Sequence, residues 1–467
     1  MLNTARHSIL IETCPFRHMI FSTTKGDTMK LWISIIVLIS AMMAQAQQNT
    51  QPYLVVYKEQ DVRQLRSLQG SRLQKYLRVQ TQQHESNLVK ALPEVRGLGG
   101  NDGIKSLWIL GSSIAQLNDQ SAQKVSQLPF VRRLVSIAGT ASLINPYRGD
   151  VNVENTTAFT YGLIKLGMPD LRTQYPQLNG QGVRVGIVDS GIDANHPDLK
   201  GKILYYKDFV KPGSQTPTDE IGHGTHVAGT IAGGNTSGRS IGVAPGVQMI
   251  IAKVFGGSGS SSREELLLAL QWMIDPDGKP ETEDGAHIVS NSWGYFGKFN
   301  NKDPQDEPFC AVLNRMRALN ISPVFAAGNE GPGEGTLRIP GACPDSFTVG
   351  ATDSSDRIAR FSSKGPAKWK SQNTPKPDVT APGVDVISAR PRGGYQPMSG
   401  TSMAAPHVSG VMALMKQARP DLTQKDLETA VIKTSLDLGT KNYDMTFGHG
   451  RVEALKAIQS VIQSSIF

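Results

Sequence analysis

Three short segments carry residues that could do chemistry together. Asp189 closes the apolar run Val183-Arg-Val-Gly-Ile-Val188, and a carboxylate at the end of a buried strand is costly unless a cation or hydrogen-bond donor meets it. His223 lies in Gly222-His-Gly-Thr-His-Val-Ala-Gly-Thr230, where flanking glycines permit close backbone approach and an apolar run begins a helix. Ser402 lies in Ser399-Gly-Thr-Ser-Met-Ala-Ala-Pro-His407, a small-residue turn entering a helix. Its own N–H is therefore among the unpaired donors of a helix start, which favour negative charge. A carboxylate, an imidazole and an alcohol are the orienter, base and nucleophile of acyl transfer. Taken singly, each also fits a bland role, Asp189 a turn cap, His223 a packed loop histidine and Ser402 a helix N-cap, and a fourth candidate, Asn329 in Ala-Gly-Asn-Glu-Gly331, fits a turn residue. Their coincidence favours chemistry. His223 and His226 stand at i and i+3 but lack the glutamate of H-E-x-x-H and a third ligand for a metal. His196, His226 and His407 read as structural, and His449, between two glycines, as a turn residue.

The elements that must hold these residues read as an α/β domain. From Val183 onward Gly, Ala, Ser and apolar β-runs alternate with helical stretches, the pattern of a mostly parallel sheet. Strands are expected over Val183–Val188, Met249–Val254, His287–Ser292, Pro323–Ala327 and Ser346–Val349, and helices over Arg263–Met273 and Cys310–Leu319. Gly256–Ser262 reads as a flexible loop and Asp275–Gly285 as an acidic surface loop. Ahead of this domain, residues 51–137 read as a small α+β unit. Tyr53–Lys58, Ser106–Leu110 and Val131–Ile137 are strands, Asp61–Val95 and Leu117–Leu128 helices, with room for a further strand around Val89–Leu98. Its one histidine, His84, falls on a face expected to be solvated. Residues 138–160, polar and carrying Pro146 and Gly149, read as a linker.

The chain order Asp, His, Ser with these flanking residues resembles the subtilisin-like serine proteases. Further matching pieces are Phe325-Ala-Ala-Gly-Asn-Glu-Gly-Pro332, Ser292-Trp-Gly294, Phe361-Ser-Ser-Lys-Gly-Pro366, Lys376-Pro-Asp-Val-Thr-Ala-Pro-Gly383 and Gly448-His-Gly-Arg-Val-Glu453. An α/β-hydrolase elbow is excluded because Ala404 stands where G-x-S-x-G needs its second glycine. The Trp-containing strand and the 275–285 loop are more similar to the bacillopeptidase F branch. The resemblance implies a three-layer α/β peptidase domain over 151–467, preceded over 47–150 by a small ferredoxin-like propeptide that inhibits it. It implies Asp189, His223 and Ser402 as the catalytic triad, with the Asn329 amide and the Ser402 N–H as the oxyanion hole. Peptide substrate would lie as a strand beside Ser292, Trp293 and Gly294, with Ala326, Ala327 and Gly328 lining the pocket for the residue before the scissile bond. Glu330 would favour basic substrate side chains. A structural calcium ion is implied at Asp198, in His196-Pro-Asp-Leu199, although Thr236 stands where a liganding Asn is frequent.

Composition agrees with an enzyme that carries a leader. The 467 residues are 39% hydrophobic and 19% charged, too apolar for a disordered chain, and 47 glycines are too many for a coiled coil. The net charge of +8 suggests nucleic acid only until it is located. Residues 1–155 hold 17 Lys+Arg against 10 Asp+Glu, and residues 156–467 hold 31 against 30, so the excess sits on the part expected to be removed. Met29-Lys, the apolar run Leu31–Met43 and Ala44-Gln45-Ala46 form a secretory signal, too short to span a bilayer comfortably. Residues 1–28 read as an upstream segment, and the alternative to cleavage is a signal anchor. Without Cys14, Cys310 and Cys343 remain as either a disulfide or two buried thiols. The sequence thus reads as a secreted, extracellular or periplasmic, monomeric serine endopeptidase made as a self-processing preproprotein. It would act on protein or peptide substrates and require no cofactor for its chemistry. The alternative is a catalytically silent protein that holds peptides in the same cleft, which an intact triad disfavours.

Overall fold

The computed structural model describes Ile35 and residues 50–463, apart from 59–67, 69, 94–102, 145, 149–156 and 298–300. The expected signal segment, Ile35 aside, and Cys14 lie outside the described residues. Contacts divide the chain into Met1–Thr50 and Gln51–Phe467, and the elements below belong to the second unit.

The first of them are β1 (Gln51–Tyr57), α1 (Gly70–Ala91), β2 (Ile104–Leu107), β3 (Ser112–Leu117), α2 (Asp119–Ser126) and β4 (Val131–Ser136). They form an antiparallel sheet in the order β2-β3-β1-β4. This is the small α+β unit expected, with its extra strand in a different place. A single 3₁₀ turn over Trp108–Leu110 ends at Gly111, whose φ of +57° suits glycine, and the chain reverses into β3. Ser112-Ser-Ile-Ala-Gln-Leu117 is buried on both faces and so shows no alternation in the sequence. Of Val89–Leu98, residues 89–91 are helical and 94–98 lie outside the described residues. His84 is buried rather than solvated; it stacks on Tyr57 at 4.6 Å, and burial pushes its pKa down.

The stretch read as a linker holds two short strands, β5 (Thr140–Leu143) and β6 (Tyr147–Arg148). Then come β7 (Arg184–Asp189), β8 (Ile203–Asp208), α3 (His223–Ala232), β9 (Gln248–Lys253), β10 (Ser260–Ser262), α4 (Arg263–Trp272), β11 (Ile288–Asn291) and β12 (Trp293–Gly294). The chain continues through α5 (Pro308–Ala318), β13 (Ser322–Ala326), β14 (Phe347–Thr352), β15 (Val379–Pro382), β16 (Val386–Arg390), β17 (Gly394–Ser399) and α6 (Thr401–Ala418). Seven of these strands form a wholly parallel sheet in the order β15-β14-β13-β11-β7-β9-β8.

Alternation along those strands feeds two cores. Val185, Ile187, Met249, Ile251 and Val324 pack with α3 and α6, whereas Val188, Ile250, Val289 and Phe325 pack with α4 and α5. The result is three layers. α4 begins with a capping box, Ser262 accepting from the Glu265 N–H while the Glu265 side chain accepts from the Ser262 N–H. Leu54, Leu107, Trp108, Ile109 and Ile114 of the small sheet domain share the core of α4 and α5. Charge reinforces that contact: Arg78 pairs with Asp275, Lys105 with Glu264 at 2.9 Å, and Arg133 with Asp306.

Cys310, in α5, and Cys343 form a disulfide with Cα atoms 5.3 Å apart, closing a span of 33 residues. Cross-linking such a loop removes disorder from the unfolded chain and is worth about 4 kcal/mol. The Cys310→Ser, Cys343→Ser double variant should therefore unfold at clearly lower urea than wild type when both are kept oxidised, and equal midpoints would contradict this account.

Candidate active site

Asp189 ends β7 at the C-terminal edge of the parallel sheet, where ligand sites of open α/β sheets lie. Its carboxylate is fully buried. Oδ1 accepts the Ser190 N–H at 2.7 Å and a hydrogen bond from His223 Nδ1 at 2.8 Å. An ionised carboxylate only accepts, so the imidazole proton sits on Nδ1 and Nε2 is left as the acceptor. Nε2 is buried with no hydrogen-bond partner among the described residues.

His223 opens α3, and that helix start can lie against the turn after β7 only because residue 224 is glycine. A Cβ there would fall 2.1 Å from the Gly191 carbonyl oxygen. Asp219 then fixes the approach. Its Oδ1 accepts from the N–H groups of Ile221 and Gly222 and from the Ser190 hydroxyl, its Oδ2 from the N–H and hydroxyl of Thr225. Nothing in the sequence reading singled out Asp219. An acidic residue just ahead of a helical run was the available signal.

Ser402 is the second residue of α6 and fully buried. Pro406, four residues on, has no N–H to give the Ser402 carbonyl, which accepts instead from Ser292 Oγ at 2.9 Å. The Ser402 hydroxyl does not bond His223. It donates to the Ile144 carbonyl at 2.9 Å, with the Ser292 carbonyl a longer second acceptor at 3.3 Å. Asp189 and His223 thus touch each other, while Ser402 touches the chain segment lying in the cleft.

Asn329 follows the end of β13. Its Oδ1 accepts from the Thr401 N–H at 2.9 Å and the Thr401 hydroxyl at 3.0 Å. A backbone N–H can only donate, so these contacts fix the amide's sense and turn Nδ2 toward Gly400, at whose Cβ position it would stand 3.0 Å away. Thr401, quoted in the sequence motif but given no role there, is therefore what orients Asn329. Ala326 and Ala327 are buried, and Gly328 has φ +121°; a Cβ on it would lie 2.6 Å from Glu330 Oε2 and from Ser363 Oγ. Glu330 is not free to meet a substrate cation, since its carboxylate pairs with Arg338 and accepts from the Asn329 N–H at 2.9 Å.

The cleft is filled by residues 140–144. β5 runs antiparallel between β10 and β12, with Ser142 opposite both Ser260 and Gly294 and Leu143 opposite Trp293. The Leu143 N–H bonds Gly259 O at 3.1 Å and the Ile144 N–H bonds Ser292 O at 3.2 Å. Further on, β6 pairs with β17, Tyr147 opposite Ser399. Gly256–Ser262 is thus no mere loop: its last three residues are β10. Trp293 contributes backbone only. Its indole is fully buried against Phe309 and Phe325 and serves to pin the strand.

Asp198 does not fit a calcium ion in this arrangement. Oδ1 accepts the Thr236 N–H at 2.9 Å and Oδ2 the Tyr395 hydroxyl at 2.7 Å, and among the described residues Asp198 belongs to no group of three acidic, histidine or cysteine side chains close enough to share an ion. Burial works to raise its pKa, but these hydrogen bonds outweigh it and hold the carboxyl below its usual range. Among the described residues the group of acidic side chains close enough to share an ion is Asp275, Asp277 and Asp284. His226 Nε2 faces the carbonyls of Val386 and Gln396, His196 Nε2 that of Gly394, and His407 Nδ1 that of Met403, all structural contacts.

A parallel α/β sheet with a buried carboxylate–imidazole pair and a helix-start serine at one edge defines the class of the three-layer serine hydrolase domains. Residues 180–450 match the Subtilase family model, and the chain belongs to that family. It is 30% identical over 417 residues to bacillopeptidase F of Bacillus subtilis, covering 82% of this chain and 28% of that protein. It is 34% identical over 305 residues to the serine protease AprX of the same organism, covering 60% and 67%. With subtilisin Savinase of Lederbergia lenta it shares 36% over 277 residues, 59% of this chain and 91% of that one. The chain thus spans little more than a quarter of bacillopeptidase F.

Two histidines beside the site contribute to the acid limit of the fold, together with His287, which burial pushes down to about 4. Burial, with His223 nearby as a second cause, pushes His226 down to about 3, and burial pushes His407 down to about 4. Between those values and the ordinary histidine value near 6.5 the unfolded chain takes up protons that the native one refuses. Stability is therefore full above about pH 6.5 and falls below it, by roughly 1.4 kcal/mol per pH unit for each histidine. Urea midpoints of the Ser402→Ala chain should be level from pH 8 to 7 and drop steeply from pH 6 to 5. A flat profile across that range would refute the assignment.

Proposed function

We propose that the protein is a secreted serine endopeptidase of the subtilisin type, made as a preproprotein in which residues 47–150 inhibit the peptidase domain, 151–467, until they are cut away. The single observation that carries this reading is residues 140–144 lying as a strand between β10 and β12 with the Ile144 carbonyl against Ser402 Oγ. A peptide held by backbone pairing on both edges is what an endopeptidase does with a substrate, and such pairing tolerates many side chains. Its substrates are accordingly proteins and peptides, and the chemistry draws on no cofactor.

In the proposed reaction Ser402 Oγ turns from the Ile144 carbonyl oxygen toward His223 Nε2, gives up its proton there and attacks the carbonyl carbon. Asp189 holds the tautomer and stabilises the imidazolium. The Asn329 amide and the Ser402 N–H receive the oxyanion. His223 then protonates the departing amine, and water hydrolyses the ester to regenerate the serine. In the precursor the first bond cut would be the one joining Ile144 to Asn145. The Cys310–Cys343 disulfide supports an oxidising destination, and no described helix is long and apolar enough to cross a membrane.

Wild type should label with a fluorophosphonate probe, cleave casein and, as its first processing product, yield a chain beginning at Asn145. Ser402→Ala should do none of these and should remain full length in isolation. Asn329→Ala should label but lose about 10²–10³-fold in kcat, the size known for the corresponding amide of a subtilisin. Wild type that neither labels nor cleaves sinks the enzyme reading and leaves the silent peptide binder. A Ser402→Ala chain that still matures alone sinks self-processing.

A further inference from the structure

Ser142, opposite Gly294 in the cleft strand, meets a cation. Arg338 Nη1 donates to its hydroxyl at 3.2 Å. The guanidinium is held in place rather than waving in solvent. Nη2 pairs with Glu330, the group lies 4.2 Å above the ring of Phe296, and the Arg338 N–H bonds the Ala327 carbonyl at 3.2 Å. The Arg338 side chain is 13% exposed, and its Nε is buried without a hydrogen-bond partner among the described residues, so Glu330 does not exhaust its donors. Gly294 makes the approach feasible, because a Cβ at that position would come within 2.8 Å of Arg338 Cβ.

We infer that Arg338 is a specificity-determining residue, selecting substrates with a carboxylate two residues before the one whose carbonyl is attacked. This rests on the peptidase reading of the cleft. A serine hydroxyl offers the guanidinium a neutral acceptor, whereas Asp or Glu offers a charge-assisted and frequently bidentate one, about twice as strong. Lys or Arg there sets like charges together. Glu330 already shares the cation, which keeps the preference moderate; fivefold in kcat/KM is about the scale of a partly screened ion pair.

The test uses the mature enzyme and three internally quenched peptides identical except for Asp, Ala or Lys at that position, with active enzyme counted by fluorophosphonate labelling and the cut located by mass spectrometry. The expected order is Asp, then Ala, then Lys, with the Asp advantage shrinking in 1 M salt, where screening is short-ranged. Arg338→Ala should bring the Asp to Lys ratio close to one, and Arg338→Lys should keep part of it. The wild-type order alone decides the matter if those variants do not fold. A labelled enzyme with equal rates on all three peptides overturns this inference and spares the peptidase reading. An enzyme that does not label overturns both.

Discussion

One buried hydrogen bond, from His223 Nδ1 to Asp189 Oδ1, governs the C-terminal edge of the large sheet. A carboxylate with no solvent access is costly, and among the described residues the imidazole and the Ser190 N–H offset that cost for Asp189. The pair can form only if α3 starts hard against the turn after β7. That demand explains the glycine at 224, the chelation of the helix start by Asp219, and a loop between β8 and α3 that folds back on Ser190. Replacing the bond by solvent would cost more than the hydrogen bond alone, since it would leave both a charge and a ring nitrogen unsatisfied.

Ser402 is positioned by a different logic, in which a defect in one helix is used by a neighbouring strand. Pro406 removes the amide that would close the first turn of α6, and the orphaned Ser402 carbonyl takes Ser292 Oγ instead. The same Ser292 offers its carbonyl to the Ile144 N–H. Backbone at the cleft strand and backbone at the helix start are thereby locked to each other through one serine. Thr401 performs the matching task on the other side by fixing the sense of the Asn329 amide. The geometry around Ser402 is therefore set by residues that do no chemistry.

Much of this was legible in the sequence. Four strands of the parallel sheet and two helices fall within a residue or two of the expected places, because strands buried on both faces leave continuous apolar runs, and β14 runs three residues past its expected end. Asp189, His223, Ser402 and Asn329 were marked by the small residues around them. What the sequence hid has three physical causes. Ser112–Leu117 mixes polar and apolar residues without alternation and Ser260–Ser262 is a run of serines, so what marks each as a strand is a backbone partner far along the chain. His84 is polar yet buried, because Tyr57 supplies a face to stack on. Residues 140–144 read as linker, and become a strand only because two edges flank them. Arg338 and Thr401 act through contacts far along the chain, which no local pattern encodes, whereas Asp219 caps the start of α3 locally and its place ahead of a helical run was a readable signal.

The placement of the excess positive charge of residues 1–155 then acquires a physical sense. Arg78, Lys105 and Arg133 of the small domain meet Asp275, Glu264 and Asp306, on or beside the helices that cover one face of the large sheet. These contacts lie outside the cleft strand, which is itself held by backbone pairing and by the buried side chains of Ala141, Leu143 and Ile144. Breaking the chain after Ile144 removes neither set. On the proposed reading, cutting and release are therefore separate events: the cut frees the strand beyond Ile144, while the product end stays paired. Opening the cleft would require loss of the whole domain, whose apolar surface against α4 and α5 outweighs ion pairs that are partly solvent-exposed.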